Sequence, residues 1–305
     1  MGDHGIDLYS SSINVRDLVC SGSFTYFIPG YRCNARKSRS GYRLIVEAGR
    51  DDLTIMDKGR LCLLKGSEKQ FRAADTVPYL IHYLLEAQRQ RDCQTTMNAA
   101  AVSSDGHGVL ILGKQGAGKT TLALEMCRRH GYRLIGNDLV IVGLQRNHVY
   151  AFSGTKIFRL RRTTAQVYNS DLRKYFDGDS KSDSWTSVTT ILPDMIGVIP
   201  EDKPVPLDKI LYVHLLNEEE KLLCKKPVDL LFSRLFLYEE MTRYIRGVCV
   251  QPKVGRSYEY GPYLPSLDDP LLYKNRKRLI YAITNHPYFF YVSGPLHKIC
   301  AEIMR

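Results

Sequence analysis

The sequence predicts an α/β (α+β) chain, with a P-loop core over residues 93–305 preceded by a smaller β-rich unit over 1–92. Three observations predict it. An apolar run, Val109 to Leu112, leads into a glycine-rich loop and then a helical segment, Thr121 to His130. Short β-like runs separated by turn residues fill the chain before residue 92. Strand-like and helix-like stretches then alternate to the C-terminus.

In the first unit the β-like runs are Ser23 to Ile28, Tyr42 to Glu47 and Arg60 to Leu64. Pro29-Gly30 and Ala48-Gly49 punctuate them as turns. Tyr31 to Arg39 is basic and reads either as a phosphate contact or as a solvated loop. Thr76 to Gln90 reads as a helix, with Tyr79, Leu80, Tyr83 and Leu84 on one face and Pro78 near its start.

Met97 to Val102 is small and apolar, and Asp105-Gly106 is a turn signal, so a hairpin should enter the strand Val109–Leu112. The loop after that strand, Gly113-Lys114-Gln115-Gly116-Ala117-Gly118-Lys119-Thr120, matches G-x-x-x-x-G-K-[ST]. Its glycines let the backbone take conformations that a side chain forbids, so several N–H groups can turn toward phosphate oxygens. The cradle runs from Gly113 to Thr121, and the following helix adds the positive end of its dipole. Lys119 should reach the β- and γ-phosphates, and Thr120 should ligate Mg²⁺. In the helix, Leu122 and Met126 share a side with Arg129, while Ala123 and Cys127 stand four apart.

His130-Gly131 marks the end of that helix. Tyr132 to Asp138 reads as a strand ending in a carboxylate, with Leu139 to Val142 following. Asp138 lies 19 residues after Lys119, and a carboxylate there suits the second Mg²⁺ contact. Ser153 to Arg162 is a β-like run in which alternation puts Arg159 and Arg161 on one face. That face meets an anionic acceptor or guards an exposed edge. Asn169 to Thr190, with DGDSKSDS at 177–184, has no hydrophobic period and reads as a loop able to close over a site. Pro204 to Leu216 reads as a buried strand. Pro227 to Tyr244 reads as an amphipathic helix with Leu231, Leu235 and Tyr238 on its apolar face. Lys274 to Arg278 is either the charged face of a helix or a nucleic-acid contact. Tyr288 to Val292 and Pro295 to Met304 close the chain as strand and helix.

At 305 residues and 44% hydrophobic content the chain can build a substantial core. No apolar run approaches a membrane span of about 20 residues. The start MGDHGIDLYS has neither a signal-peptide layout nor a myristoylation pattern, since Ile6 stands where Ser or Thr is needed. The eight cysteines form no C-x-x-C pair, so the expectation is a reduced, cytoplasmic chain without a zinc site. A net charge of +11 favours an anionic partner: a nucleotide, a phosphorylated small molecule, an acidic peptide or nucleic acid.

Three stretches together, MNAAAV (97–102), GVLILGKQGAGKTTLALEMCRRHGYRL (108–134) and IGNDLVIV (135–142), resemble the HPr kinase/phosphorylase family. The kinases of lasso-peptide clusters are among its relatives. The likeness continues more loosely through Tyr150 to Arg161 and Leu207 to Val213. It implies a core with a mixed sheet, use of ATP or GTP with Mg²⁺, an acceptor that is a small molecule or peptide, and an oligomeric habit. Two positions depart from the family pattern. Asn98 stands where the family has His, and Asn137 stands where it has the first Asp of a pair, the base that takes the acceptor's proton. The Mg²⁺-binding member, Asp138, is kept. Two amides cannot take a proton, which leaves three readings open. Positioning and electrostatics suffice for a loose phosphoryl transition state; or the acceptor is already an anion; or the site binds nucleotide without transferring from it. In each, Asn98, Asn137, Arg159 and Arg161 face the acceptor.

Overall fold

The computed structural model describes residues 4–49, 54–57, 59–68, 71, 76–176, 187–217, 219, 222–247 and 266–305. The chain divides into two compact units. One comprises Met1–Thr96 and Leu235–Tyr281; the other comprises Met97–Arg234 and Ala282–Arg305. The stretch after Leu235 thus groups with the N-terminal residues before the chain returns to the P-loop unit.

The first unit begins with β1 (Asp7–Ser10) and α1 (Ile13–Cys20), followed by β2 (Arg43–Ala48), β3 (Thr54–Asp57), β4 (Leu61–Gly66) and α2 (Thr76–Arg91). Its sheet runs β1-β2-β4-β3, with β1, β2 and β4 parallel and β3 antiparallel. Leu44, Val46, Cys62 and Leu64 alternate inward from the strands to meet Leu80, Tyr83 and Leu84 of α2 in one core. Ser23 to Ile28 is not the expected strand: Ser23–Tyr26 is a 3-10 turn. Phe24 and Ile28 are both buried while Tyr26 is exposed, which is the four-residue spacing of a helical turn rather than a strand's alternation.

In the second unit, β5 (Gln94–Ser104) and β6 (His107–Leu112) form the expected hairpin into the P-loop. α3 (Lys119–Arg129) follows, then β7 (Arg133–Gln145), β8 (His148–Gly154), β9 (Phe158–Arg161) and α4 (Arg162–Tyr168). After these come β10 (Val188–Ile191), β11 (Val205–Leu215) and β12 (Cys224–Pro227). Next in the chain come α5 (Leu230–Thr242) and α6 (Pro270–Thr284), which lie mostly in the first unit, and then β13 (Phe289–Gly294) and α7 (Leu296–Met304) of the second. The main sheet is mixed and runs β12-β13-β11-β6-β5-β7-β8. β13, β11 and β6 are parallel, whereas β5/β6, β7/β8 and β12/β13 are antiparallel. The start of β11 also pairs with β8, curling the sheet back on itself. Leu122, Ala123 and Met126 of α3 pack in one core with Val109, Ile111, Leu211 and Val213, and α7 adds Ile299 and Ile303.

The stretch read as a loop, Asn169 to Thr190, contains a 3-10 segment (Ser170–Phe176) and the strand β10, which pairs with β9. The acidic stretch 177–184 lies outside the described residues. The apolar face expected for α5 is also corrected. Leu231 and Leu235 are 68% and 60% exposed, and the buried side is Ser233, Leu237 and Met241. This helix carries Leu, Phe or Tyr on more than one side, so periodicity alone does not choose the face it buries. Lys274 to Arg278 is not one basic face either. Asn275 and Arg276 are buried, and Arg276 bonds Asp268 through two nitrogens at 3.0 and 2.6 Å. Among the described residues no helix is long and apolar enough to cross a membrane.

Candidate functional site

The P-loop sits between the end of β6 and the start of α3, with β11 closing one side. Leu215 N donates to Ala117 O at 3.0 Å, so the end of β11 is tied to the loop. Gly118 is required twice over. Its φ is +90°, and a Cβ there would lie 2.5 Å from Leu215 Cβ. Gly116 also has positive φ, +82°, but open space around it. Lys114 and Gln115 are exposed, Thr120 is half-buried in the first turn of α3, and Thr121 is buried beneath it. The first turn of α3 carries no acidic side chain, so its N–H groups and dipole are left for an anion. Lys119 Nζ curls back to Gly113 O at 2.7 Å and Lys114 O at 3.1 Å, which holds the ammonium over the loop.

Asp138 is placed by a bulge. Asn137 N donates to Thr155 O, and Thr155 N donates to Leu139 O, both at 2.9 Å. Both flanking residues of β7 therefore bond one residue of the partner segment, and Asp138 is the extra residue between them. Its φ is +72°, a left-handed conformation uncommon outside glycine. The Thr155 hydroxyl locks this arrangement: it donates to Asn137 O and accepts from Leu139 N at 3.2 Å. Two glycines permit the approach. A Cβ on Gly136 would lie 2.4 Å from Gly154 Cα. β7 is separated from β6 by β5, so Asp138 stands one strand removed from the P-loop strand.

The electrostatics converge on this carboxylate. Burial raises the Asp138 pKa above the usual carboxylate range, and Arg159 and Lys119 oppose that rise. Arg159 is exposed and Arg161 half-buried on β9, while Phe158 and Leu160 turn into the core, as alternation requires. Asn98 lies on β5. The hairpin register, with Ala100 opposite Ile111, brings it level with Gly113.

Asn137 is turned the other way. It is fully buried, and its Nδ2 donates to Ile157 O at 3.0 Å. Its Nδ2 thereby pins the segment after β8, while its Oδ1 is buried without a hydrogen-bond partner among the described residues. Lys156 is structural in the same way, since its ammonium donates to the carbonyls of Leu134 (3.0 Å), Ile135 (2.6 Å) and Glu201 (2.5 Å). Burial lowers its pKa to about 8. Sequence reasoning missed Thr155. The signal was Gly136 and Gly154, glycines inside strand patterns, which mark a bulge or a close backbone approach.

Among the described residues no group of three or more His, Cys, Asp or Glu could hold a metal ion. The side chains that could hold a cation here are one carboxylate and one hydroxyl, Asp138 and Thr120. That set suits Mg²⁺, which keeps several waters and takes its other ligands from phosphate.

No family model matches the chain, and no curated protein does. Among solved structures it is similar to the HPr(Ser) kinase/phosphatase from Coxiella burnetii, at 16% identity over 44% of this chain and 77% of that one, with a TM-score of 0.26.

Proposed function

We propose that the chain binds a nucleoside triphosphate, ATP or GTP, with Mg²⁺ in the loop 113–121. It then transfers the γ-phosphoryl group to an anionic small molecule or peptide. The observation that carries this is the geometry of the loop: the Lys119 ammonium is held over it by the carbonyls of Gly113 and Lys114, at a helix start whose first turn carries no acidic side chain. Lys119 and the loop N–H groups hold the β- and γ-phosphates, while Thr120 and Asp138 hold the metal. When bound, Mg²⁺ neutralises charge on the phosphates. Arg159 and Arg161 attract the acceptor, and Asn98, level with Gly113, lies within the acceptor side. An anionic acceptor needs no deprotonation, which suits a site whose Asn137 is committed to the interior.

The same burial favours a second reading, a nucleotide-binding module without transfer. One experiment separates the two. ADP or GDP formation is measured with Mg²⁺, with and without a pool of anionic metabolites and peptides. Pool-dependent turnover that Lys119→Ala abolishes supports transfer, and full turnover in Lys119→Ala refutes it. Tight nucleotide binding with no turnover in any mixture assigns the binding module.

A further inference from the structure

The first unit holds two exposed cysteines whose sulfurs face each other. Cys20 ends α1, Cys33 lies in the basic loop after Tyr31, and their Sγ atoms are 3.9 Å apart. Packing fixes the chain between them. The Tyr31 hydroxyl donates to Val19 O at 3.0 Å, and its ring meets Phe24 edge-on at 5.4 Å. Phe24 and Ile28 are fully buried beneath that turn. The closeness of the sulfurs therefore follows from a packed turn rather than a free loop. Burial, and then Cys20, push the Cys33 thiol up, as expected where two sulfurs would share negative charge.

A disulfide needs an S–S distance of about 2.05 Å. From 3.9 Å the sulfurs must close by about 1.9 Å, a movement that side-chain rotation at two exposed residues supplies.

We propose that Cys20 and Cys33 form a reversible intrachain disulfide by exchange with a small-molecule disulfide such as oxidised glutathione. Cys20, exposed at the end of α1, attacks first as thiolate: a Cys20–sulfur bond forms, the small disulfide's S–S bond breaks, and one small thiolate leaves. The Cys33 thiolate then attacks the Cys20 sulfur and expels the second small thiolate. The two cysteine protons end on the two leaving thiolates. Two protein thiols are oxidised and one small disulfide is reduced to two thiols. Because the second attack is intramolecular, the mixed disulfide does not accumulate. The bond clips the root of the loop bearing Arg36, Lys37 and Arg39 to the end of α1, and it restricts the unfolded chain.

The test uses the full chain, equilibrated with oxidised glutathione, blocked with N-ethylmaleimide and digested with trypsin without reductant. Cleavage after Arg16, Arg32 and Arg36 puts Cys20 on peptide 17–32 and Cys33 on peptide 33–36. The expected result is one linked pair of these peptides that dithiothreitol separates. Oxidation should also raise the unfolding midpoint in the parent chain and leave Cys33→Ser unshifted. Separate glutathione adducts on the two peptides, both peptides alkylated at saturating oxidant, or Cys33 linked to a different cysteine would each overturn the proposal. The peptide readings are made on the parent chain, so they stand even where a variant folds poorly.

Discussion

Replacing Thr155 by Val tests whether the bulge is what holds Asp138. Valine keeps the shape and removes the hydroxyl. Thr155 is 1% exposed, so water does not take the hydroxyl's place. Leu139 N loses the Oγ1 acceptor it holds at 3.2 Å, and Asn137 O loses a donor. A buried unsatisfied donor costs about 1–3 kcal/mol, and a carbonyl with one lone pair left unused costs less, so the sum is about 2–4 kcal/mol. With the lock gone, the ladder can relax and carry Asp138 away from Lys119. Loss of a group that orients a metal ligand typically costs about 10–100-fold in metal affinity. Urea unfolding gives the stability change. Nucleotide affinity, measured with and without Mg²⁺, gives the functional change. Thr155→Val should lose stability by that amount and lose most of the gain in affinity that Mg²⁺ provides. Thr155→Ser, which keeps the hydroxyl, should retain both. Parent-like stability and an unchanged Mg²⁺ effect in Thr155→Val would refute the reasoning.

Other outcomes follow from the same geometry. Burial raises the Asp138 pKa above its unfolded value, so between those two values the unfolded chain holds fewer protons than the folded one. The stability tied to that proton is present at low pH and is lost as pH rises through the folded pKa. Asp138→Asn should therefore gain on the parent as pH rises through that window, and should lose the Mg²⁺ dependence of nucleotide binding; melting curves across the pH range and titrations check both. Gly118→Ala should cost about 2–5 kcal/mol, from left-handed strain plus the clash with Leu215, while Gly116→Ala should cost only the strain, about 1–2 kcal/mol. Equal losses in urea unfolding would contradict the steric argument. Asn137→Asp removes the donor to Ile157 O and buries a charge, so it should destabilise by about 3 kcal/mol or more rather than restore a base. A folded, parent-stable Asn137→Asp with raised turnover would place that side chain at the acceptor after all.

Much of the P-loop unit was legible in the sequence. The hairpin through Asp105-Gly106, the loop Gly113–Thr120, the helix stop at His130-Gly131 and the strand through Leu211 all appear where the pattern puts them. Each is written in neighbouring residues: an apolar run, a glycine where φ is positive, a turn dipeptide. Lys119 and Asp138 could be proposed from the sequence because motif and spacing are local properties. Tertiary structure decided the rest. Thr155 locks the backbone on either side of Asp138 from 17 residues away, and its chain neighbour Asn137 bonds Ile157 O in the interior. α5 exposes the stripe that its periodicity would bury, and Arg276 leaves its basic run to bond Asp268. Cys20 and Cys33 meet only because the turn between them packs. The physical reason is common to all of these. Secondary structure answers to the torsional preferences and burial period of a short segment, whereas the direction a polar side chain takes is set by which distant backbone comes close enough to bond it.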